Sequence, residues 1–241
     1  YPAVALWHRY RLDNDLAFAR RYWPMVRSAI DFVLTLQHPE GDISWSQEAF
    51  GTGADDAVLA GNASIHKSLD CALKLADLVG DPQPAWAQAK DRLSHAIRNA
   101  PHRFDRLQDR SDFAMDWYYP ALAGVLSPGA SFARLEARAP RFAVLGRGCR
   151  CVASEPWVTV AESCELAMAL LSLGARAAAC ALLDSQLNHR DEDGAFWMGW
   201  QFAEQIVWPR ERPTWTQAAA ILAFDARLGA SAASDVLISR Q

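Results

Sequence analysis

Two helical segments separated by a single glycine are the feature of this sequence that most restricts its fold. The segment AESCELAMALLSL (161–173) has the periodicity of a helix, Gly174 stops it, and ARAAACALLDSQL (175–187) is helical again. Helices joined by so short a turn fold back on each other, so the pattern predicts an antiparallel helical hairpin.

Similar segments recur along the chain. Helices are predicted over 64–79, capped by Ser64 and stopped by Gly80, and over 86–98 and 216–228. Nearly all of the chain follows this helical pattern. Strand signals are few, although RFAVLGRGCRCV alternates around a Gly-Arg-Gly turn and predicts one short hairpin.

Two prolines are expected to mark helix boundaries. Pro24 suits the first turn of a helix that runs to about Gln37. Because a proline pushes the preceding residue toward extended geometry, Tyr119 is expected to end an aromatic turn, with a helix resuming at Pro120.

Nine or ten helices in antiparallel pairs predict an all-α fold, with residues 1–241 in one domain. A stack of hairpins that closes on itself, with its chemically interesting loops at one mouth, accounts for the pattern. A linear solenoid is the competing architecture, but the hairpins share no repeat of fixed length.

Composition narrows the classes of function. The net charge of −4 and the pI near 5.9 argue against a nucleic-acid-binding surface. The chain has no apolar run of the roughly 20 residues that a membrane span needs. Five cysteines without framework spacing favour reduced thiols in a cytoplasmic protein. The six histidines show no ligand spacing, so neither a metal nor a cofactor is predicted.

Ten tryptophans in 241 residues are an unusual excess. The segment DGAFWMGWQFAEQIVWP (193–209) holds three of them around a single carboxylate, Glu204, and reads as a loop between two late helices. A sugar ring can stack its C–H face on an aromatic plane while carboxylates bind its hydroxyls. The tryptophans predicted in or beside loops are Trp45, Trp117, Trp157, Trp197, Trp200, Trp208 and Trp215. All of them except Trp157 are candidates for substrate binding, together with Tyr118, Tyr119 and Gln205.

Three stretches of the chain resemble the six-hairpin α/α toroid glycosidases, especially the glucoamylase-like group. They are DNDLAFARRYWPMVRSAIDFVLTLQ, SIHKSLDCALKLADLVGDPQPAWAQAKDRLSHAI and AESCELAMALLSLGARAAACALLDSQL. The resemblance implies an (α/α)6 toroid and acid/base cleavage of a glycosidic bond in an oligosaccharide or other small-molecule substrate. The full toroid has twelve helices. Since Tyr1 already lies in a helical segment, the first one or two helices are expected to be missing.

The resemblance also implies site residues. Glu204 and Gln205 are similar to the Glu-Gln pair that carries the family's catalytic base. The family's acid directly follows a tryptophan in an earlier loop. Here Ser46 follows Trp45, and Glu48 stands two residues later as the candidate for that role.

Other carboxylates compete for the catalytic roles. Asp116 adjoins Trp117, Tyr118 and Tyr119, whose low polarity suits a general acid, although it can equally cap a helix or bind the tyrosine hydroxyls. Glu162 and Glu165 lie three residues apart near a helix start and therefore share a face. Glu162 is a catalytic candidate and Glu165 a substrate-binding one, with helix-dipole and ion-pair roles as the structural alternatives.

Two alternative functions stay open. Terpene cyclases and protein prenyltransferases are also α/α toroids, and QHPEGDISW and SQLNHRDEDGAFW resemble their Gln-Gly-Trp repeat. Segments such as MDWYYP are similar to actinobacterial proteins described as prenyltransferase-like or squalene-cyclase-like. The other alternative is a non-catalytic toroid that binds a glycan or lipid-linked sugar.

Overall fold

The computed structural model describes residues 1–47 and 55–238, which form two compact units, Tyr1–Asp109 and Arg110–Gln241. Both units consist mainly of helical hairpins, so the predicted all-α class is confirmed, with one small sheet in addition. None of the helices in the described ranges combines the length and hydropathy needed to cross a bilayer.

In the described residues, to which all counts of elements refer, the first unit contains four α-helices. They are α1 (Pro2–Asp13), α2 (Leu16–Leu34), α3 (Leu59–Val79) and α4 (Pro84–Asn99), followed by the short 3₁₀ turn Pro101–Arg103. Helix α3 packs against the other three, and its buried face supplies the centre of this core. The turns between helices close through left-handed residues, Asn14 after α1 and Gly80 after α3.

Two predicted boundaries in this unit are wrong. Helix α2 continues through Pro24 without a break, with its N-terminal cap supplied by Asp15, whose carboxylate accepts a bond from the amide of Phe18. Helix α3 begins at Leu59, five residues before Ser64, whose hydroxyl instead donates to the carbonyl of Gly61 inside the helix. The extra turn includes Asn62, whose buried amide binds both the N–H and the carbonyl of Ile43.

The second unit contains five α-helices and five short strands. The helices are α5 (Ala114–Leu122), α6 (Pro128–Phe142), α7 (Val160–Ser172), α8 (Arg176–Gln186) and α9 (Thr214–Leu228). Helix α7 lies at the centre, packed against α5, α8 and α9, while α6 packs on α5. The hairpin predicted from the stop at Gly174 is therefore present as α7 and α8.

The strands form an antiparallel meander in which each strand pairs with the next one along the chain. They are β1 (Ala143–Val144), β2 (Gly148–Arg150), β3 (Trp157–Thr159), β4 (Gly199–Gln201) and β5 (Ile206–Val207). The predicted hairpin is β1–β2. Strand β3 runs directly into α7, and β5 is followed by the short segment that leads to α9.

Helix α5 runs through Pro120, where the sequence predicted an interruption. A proline inside a helix has no N–H for the carbonyl four residues earlier, here that of Asp116. Arg134 of α6 supplies the missing donors: its Nη2 donates to the carbonyl of Asp116 at 2.7 Å and its Nε to that of Trp117 at 2.9 Å. A tertiary contact thus offsets the local cost of the proline.

Gly148 allows the sheet to approach the start of α7 closely. Its φ is +145°, and a Cβ built there would lie 2.6 Å from Ser163 Oγ and 3.0 Å from Gln186 Nε2. That hydroxyl accepts a bond from the Cys149 amide and donates to the carbonyl of Thr159, so it joins β2 to the end of β3. Only a residue without a side chain fits at this position.

We therefore expect Gly148→Ala to lower the free energy of unfolding by about 2–4 kcal/mol, through steric overlap and backbone strain. The matched control is Gly146→Ala in the same turn, where φ is +70° but no described atom lies within 4 Å of the added methyl. Urea unfolding of both variants separates the two causes. Equal losses would show that strain alone, not the contact with Ser163, sets the cost.

Candidate active site

The first two turns of α7 carry the pair of carboxylates Glu162 and Glu165. Residues three apart lie next to each other on one helix face, and the charge of Glu162 acts on Glu165. Hydrogen bonds connect this helix start with its neighbours. The amide of Val160 donates to the carbonyl of Met198, and the amide of Ala114, at the start of α5, donates to the carbonyl of Cys151.

Glu165 is bound by two consecutive tyrosines of α5. The Tyr119 hydroxyl donates to Oε1 at 2.8 Å, and the Tyr118 hydroxyl donates to Oε2. Desolvation of the carboxyl raises the pKa of Glu165 to about 7, against the lowering effect of the two hydroxyls; the nearby negative charge of Glu162 raises it further. Glu165 is thus poised to change its charge near neutral pH.

Tyr118 stays protonated over the same range. Burial, followed by the charges of Glu165 and Glu162, raises the pKa of this phenol well above its ordinary value. Its hydroxyl therefore remains a donor to Glu165. Both carboxylate oxygens of Glu165 accept hydrogen bonds from tyrosines, so this side chain interacts with the protein and not with a ligand.

Glu162 is half-buried and has a different partner, the thiol of Cys151. Burial and then the neighbouring Glu162 raise the pKa of Cys151 to about 12. The thiol therefore stays protonated and donates a hydrogen bond to the carboxylate. A carboxylate has two oxygens that can accept several hydrogen bonds. One thiol leaves Glu162 capacity to bind a further donor such as water or a sugar hydroxyl.

Two further thiols lie near the pair. Burial raises the pKa of Cys149 well above its ordinary value and that of Cys164 to about 12, and the charges of Glu162 and Glu165 add to both shifts. The thiols are therefore neutral. They surround the carboxylates with groups of low polarity, which favours proton exchange at Glu165 near neutral pH.

Asp116 belongs to a different cluster. Its Oδ2 lies 3.7 Å from Arg134 Nη2 and 3.6 Å from Arg138 Nη1, and the residue is buried in the first turn of α5. Two guanidinium groups stabilise a carboxylate anion, which favours a structural ion pair over a general acid. The tyrosine hydroxyls considered as its partners are bound by Glu165 instead.

The segment 193–209 forms a β-hairpin, not the loop that was predicted. Strands β4 and β5 pair, and residues 202–205 form the turn between them. Glu204 and Gln205 are exposed in this turn, and the Glu204 amide is bound by the side chain of Gln201 at 2.8 Å. The catalytic role of Glu204 stays a prediction.

The predicted binding tryptophans fall into three environments. Trp117 is buried and stacks on Phe142, so it belongs to the core. Trp197 and Trp200 are half-buried; Trp200 stacks on His189, and Trp197 lies against two arginines. The more exposed members are Trp45 in the first unit and Trp208 and Trp215 in the second.

Trp157 and Trp208 form a pair on one face of the sheet. Their rings meet edge to face with centroids 5.3 Å apart, and Trp157 Nε1 donates to the carbonyl of Trp208 at 2.7 Å. Gly199 lies beneath them, since a Cβ there would be 2.5 Å from Trp157 Nε1. The pair leaves much of the Trp208 ring open to a ligand.

Comparison with known proteins finds one curated enzyme that resembles most of this chain. The chain is 45% identical over 226 residues to "MMP endo-(1,4)-3-O-methyl-alpha-D-mannosidase" of Mycolicibacterium hassiacum. The aligned region covers 94% of this chain and 62% of that enzyme. The chain thus spans less than two thirds of its curated relative. It matches no protein-family model.

A solved structure shows the same fold. The rhamnosidase from Klebsiella oxytoca, determined with rhamnose bound, superposes with a TM-score of 0.66 at 19% identity, over 94% of this chain and 46% of that one. At this identity the likeness concerns the fold alone. The predicted fold class, all-α with antiparallel helical hairpins, is confirmed.

Three predictions on the site have different outcomes. The resemblance to glycoside hydrolases is supported, whereas the comparisons give no support to the prenyltransferase-like description. Glu48 lies outside the described residues.

Cys151 was not predicted as a site residue. Its signal in the sequence is the short hairpin GRGCRCV, which delivers a thiol next to a helix start.

Proposed function

We propose that this chain is part of a glycoside hydrolase that cleaves internal α-(1,4) links between 3-O-methylated mannose units. The relative with 45% identity supports the substrate and linkage. The observation that carries the proposal is the carboxylate pair at the start of α7, in which one member is engaged by tyrosines and the other accepts a single thiol.

Glu162 is the member that contacts the sugar. As a general base it takes a proton from water, the water oxygen bonds to the anomeric carbon, and the glycosidic C–O bond breaks. The departing oxygen receives a proton from a second carboxyl group, the acid role for which Glu48 stays a prediction; Glu204 stays the alternative prediction for the base. Cys151 orients Glu162 through a hydrogen bond from its thiol to the carboxylate.

Glu165 is a positioning residue in this proposal. It accepts hydrogen bonds from Tyr118 and Tyr119 and lies one helical turn from Glu162. Because its own pKa is about 7, its protonation changes within the working range of most enzymes. The exposed ring of Trp208 offers a plane on which a sugar can stack.

The test is turnover of defined oligosaccharides by the full-length protein. We expect α-(1,4)-linked oligomers of 3-O-methylmannose to be cut at internal links, which chromatography of the products shows directly. Rhamnosides and prenyl diphosphates serve as comparison substrates. Release of terminal rhamnose, consumption of a prenyl diphosphate, or binding of the mannosides without turnover would each contradict the proposal.

A further inference from the structure

A groove at the edge of the sheet lies outside the carboxylate site. It has a volume of about 480 Å³ and is lined by Trp197, Ile206, Val207 and Arg210. Ile206 and Val207 form β5, which is the edge strand of the five-stranded sheet. Neither residue is needed to explain the site at the start of α7.

The lining is apolar except for one guanidinium group. Ile206 is 43% exposed and lies two residues before Trp208, which is 53% exposed, so apolar surface is grouped at this edge. Arg210 lies with its guanidinium carbon 5.8 Å from the ring centroid of Trp197. Its neighbour Arg212 pairs with Asp191 and Asp193, whereas Arg210 makes no ion pair among the described residues. The groove therefore offers an apolar wall with free N–H donors at its edge.

The register of the sheet places Ile206 on the same face as the tryptophan pair, whereas Val207 opposes Trp200 and lines the groove from the other side of the edge strand. Opposed residues of antiparallel strands point to one side, and Ile206 opposes Gln201, which opposes Trp157. Thr159, two residues after Trp157, lies on that side as well. It is the last residue of β3, directly before the helix that carries Glu162. Thr159 and the opposed Gly199 are buried, so the part of this face that is open to a sugar lies between the groove and the tryptophan pair.

We infer that the groove binds the O-methyl groups of a methylated polysaccharide. A methyl ether is apolar and accepts hydrogen bonds only through its oxygen, which matches aliphatic side chains beside guanidinium donors. An unmethylated sugar would instead place a hydroxyl against Ile206 and Val207, where its donor has no acceptor. This inference rests on the proposed function and adds the groove as the part of the protein that recognises the methyl groups.

The experiment compares binding of 3-O-methylated and unmethylated α-(1,4)-mannotetraose by calorimetry. The ligands are measured on the Glu162→Gln variant, so that neither is consumed. We expect the methylated ligand to bind at least about fourfold more tightly, the gain for one buried methyl group. In the same Glu162→Gln background, the double substitution Ile206→Thr and Val207→Thr should reduce the ratio of the two affinities, methylated over unmethylated, to between one and two. The affinity for the unmethylated ligand should change little. Threonine keeps the β-branch that the strand favours.

The matched control is Ile221→Thr on α9, where the side chain is 69% exposed and lies outside the groove. It should leave the preference unchanged. Equal weakening of both ligands, an unaltered preference, or no binding of either ligand would overturn the inference. Turnover by the wild-type protein, measured in parallel, tests the proposed function separately, because methyl-dependent binding without cleavage would refute the hydrolase and retain the groove.

Discussion

Replacement of Glu162 by glutamine is expected to lower kcat on methylated mannosides by about a thousandfold or more, with a much smaller effect on binding. Glutamine keeps the size of the side chain and can still accept a bond from the Cys151 thiol, but it cannot take a proton from water. The loss should therefore appear in kcat and equally in kcat/KM. Steady-state kinetics on a single defined oligomer gives both values.

Glu192→Gln is the matched control for Glu162→Gln. Glu192 is exposed in the turn before β4 and lies far along the chain from α7. Its substitution removes the same charge and should change kcat less than twofold. If Glu162→Gln keeps activity within tenfold of the wild type, Glu162 is not the reacting carboxylate. The same measurement on Glu204→Gln then tests the residue predicted from the sequence.

Glu165→Gln is expected to remove a pH dependence of stability. The folded-state pKa of Glu165 is raised from 4.5 to about 7, so the folded protein holds this proton more tightly than the unfolded chain. The stabilisation is fully present below pH 4.5 and is lost as the pH rises through 7. The shift corresponds to about 3 kcal/mol between these limits. The wild type should lose that stability on going from pH 4.5 to 8, and the variant should lose less.

Urea unfolding at several pH values measures this difference. Glu136→Gln on α6, an exposed position, is the control and should leave the slope of stability against pH unchanged. Tyr119→Phe gives a second measurement, because removing one donor to Glu165 raises its pKa further and should move the loss to higher pH. An identical pH slope in the wild type and Glu165→Gln would contradict the raised pKa.

The helices that were predicted well are those whose signal is local. Segment 161–173, the glycine stop and segment 175–187 agree with α7 and α8 to within a residue or two. Helix α6 was not predicted separately, because Pro128, Gly129 and Pro140 hide its period. Pro120 misled for a different reason. Its missing donor is replaced by Arg134, fourteen residues away, and local sequence does not reveal that contact.

The sequence predicted some residues of the candidate site but not the contacts between them. Glu162 and Glu165 were expected on one face near a helix start, since a spacing of three is enough to show that. Their partners come from elsewhere in the chain, Tyr118 and Tyr119 from α5 and Cys151 from the turn after β2. Such contacts depend on how hairpins pack. Tyr118 and Tyr119 were accordingly predicted as substrate-binding residues, with the adjacent Asp116 as an alternative partner for their hydroxyls.

The β4–β5 hairpin was missed because its strands are very short. Gly199–Gln201 and Ile206–Val207 span three and two residues, too few for an alternating pattern to stand out among the aromatic residues. They are extended because β3 pairs with β4, with Trp200 opposite both Val158 and Val207. The tryptophan excess did point to this segment, but composition alone does not distinguish a strand from a loop.

The amide of Val160 joins the first residue of α7 to the carbonyl of Met198, one residue before β4. This hydrogen bond ties the residue before the β4–β5 hairpin to the start of the helix that bears Glu162. If the proposed function holds, a sugar that moves the hairpin also moves the start of that helix. We therefore expect substitutions that loosen the hairpin to lower kcat as well as binding.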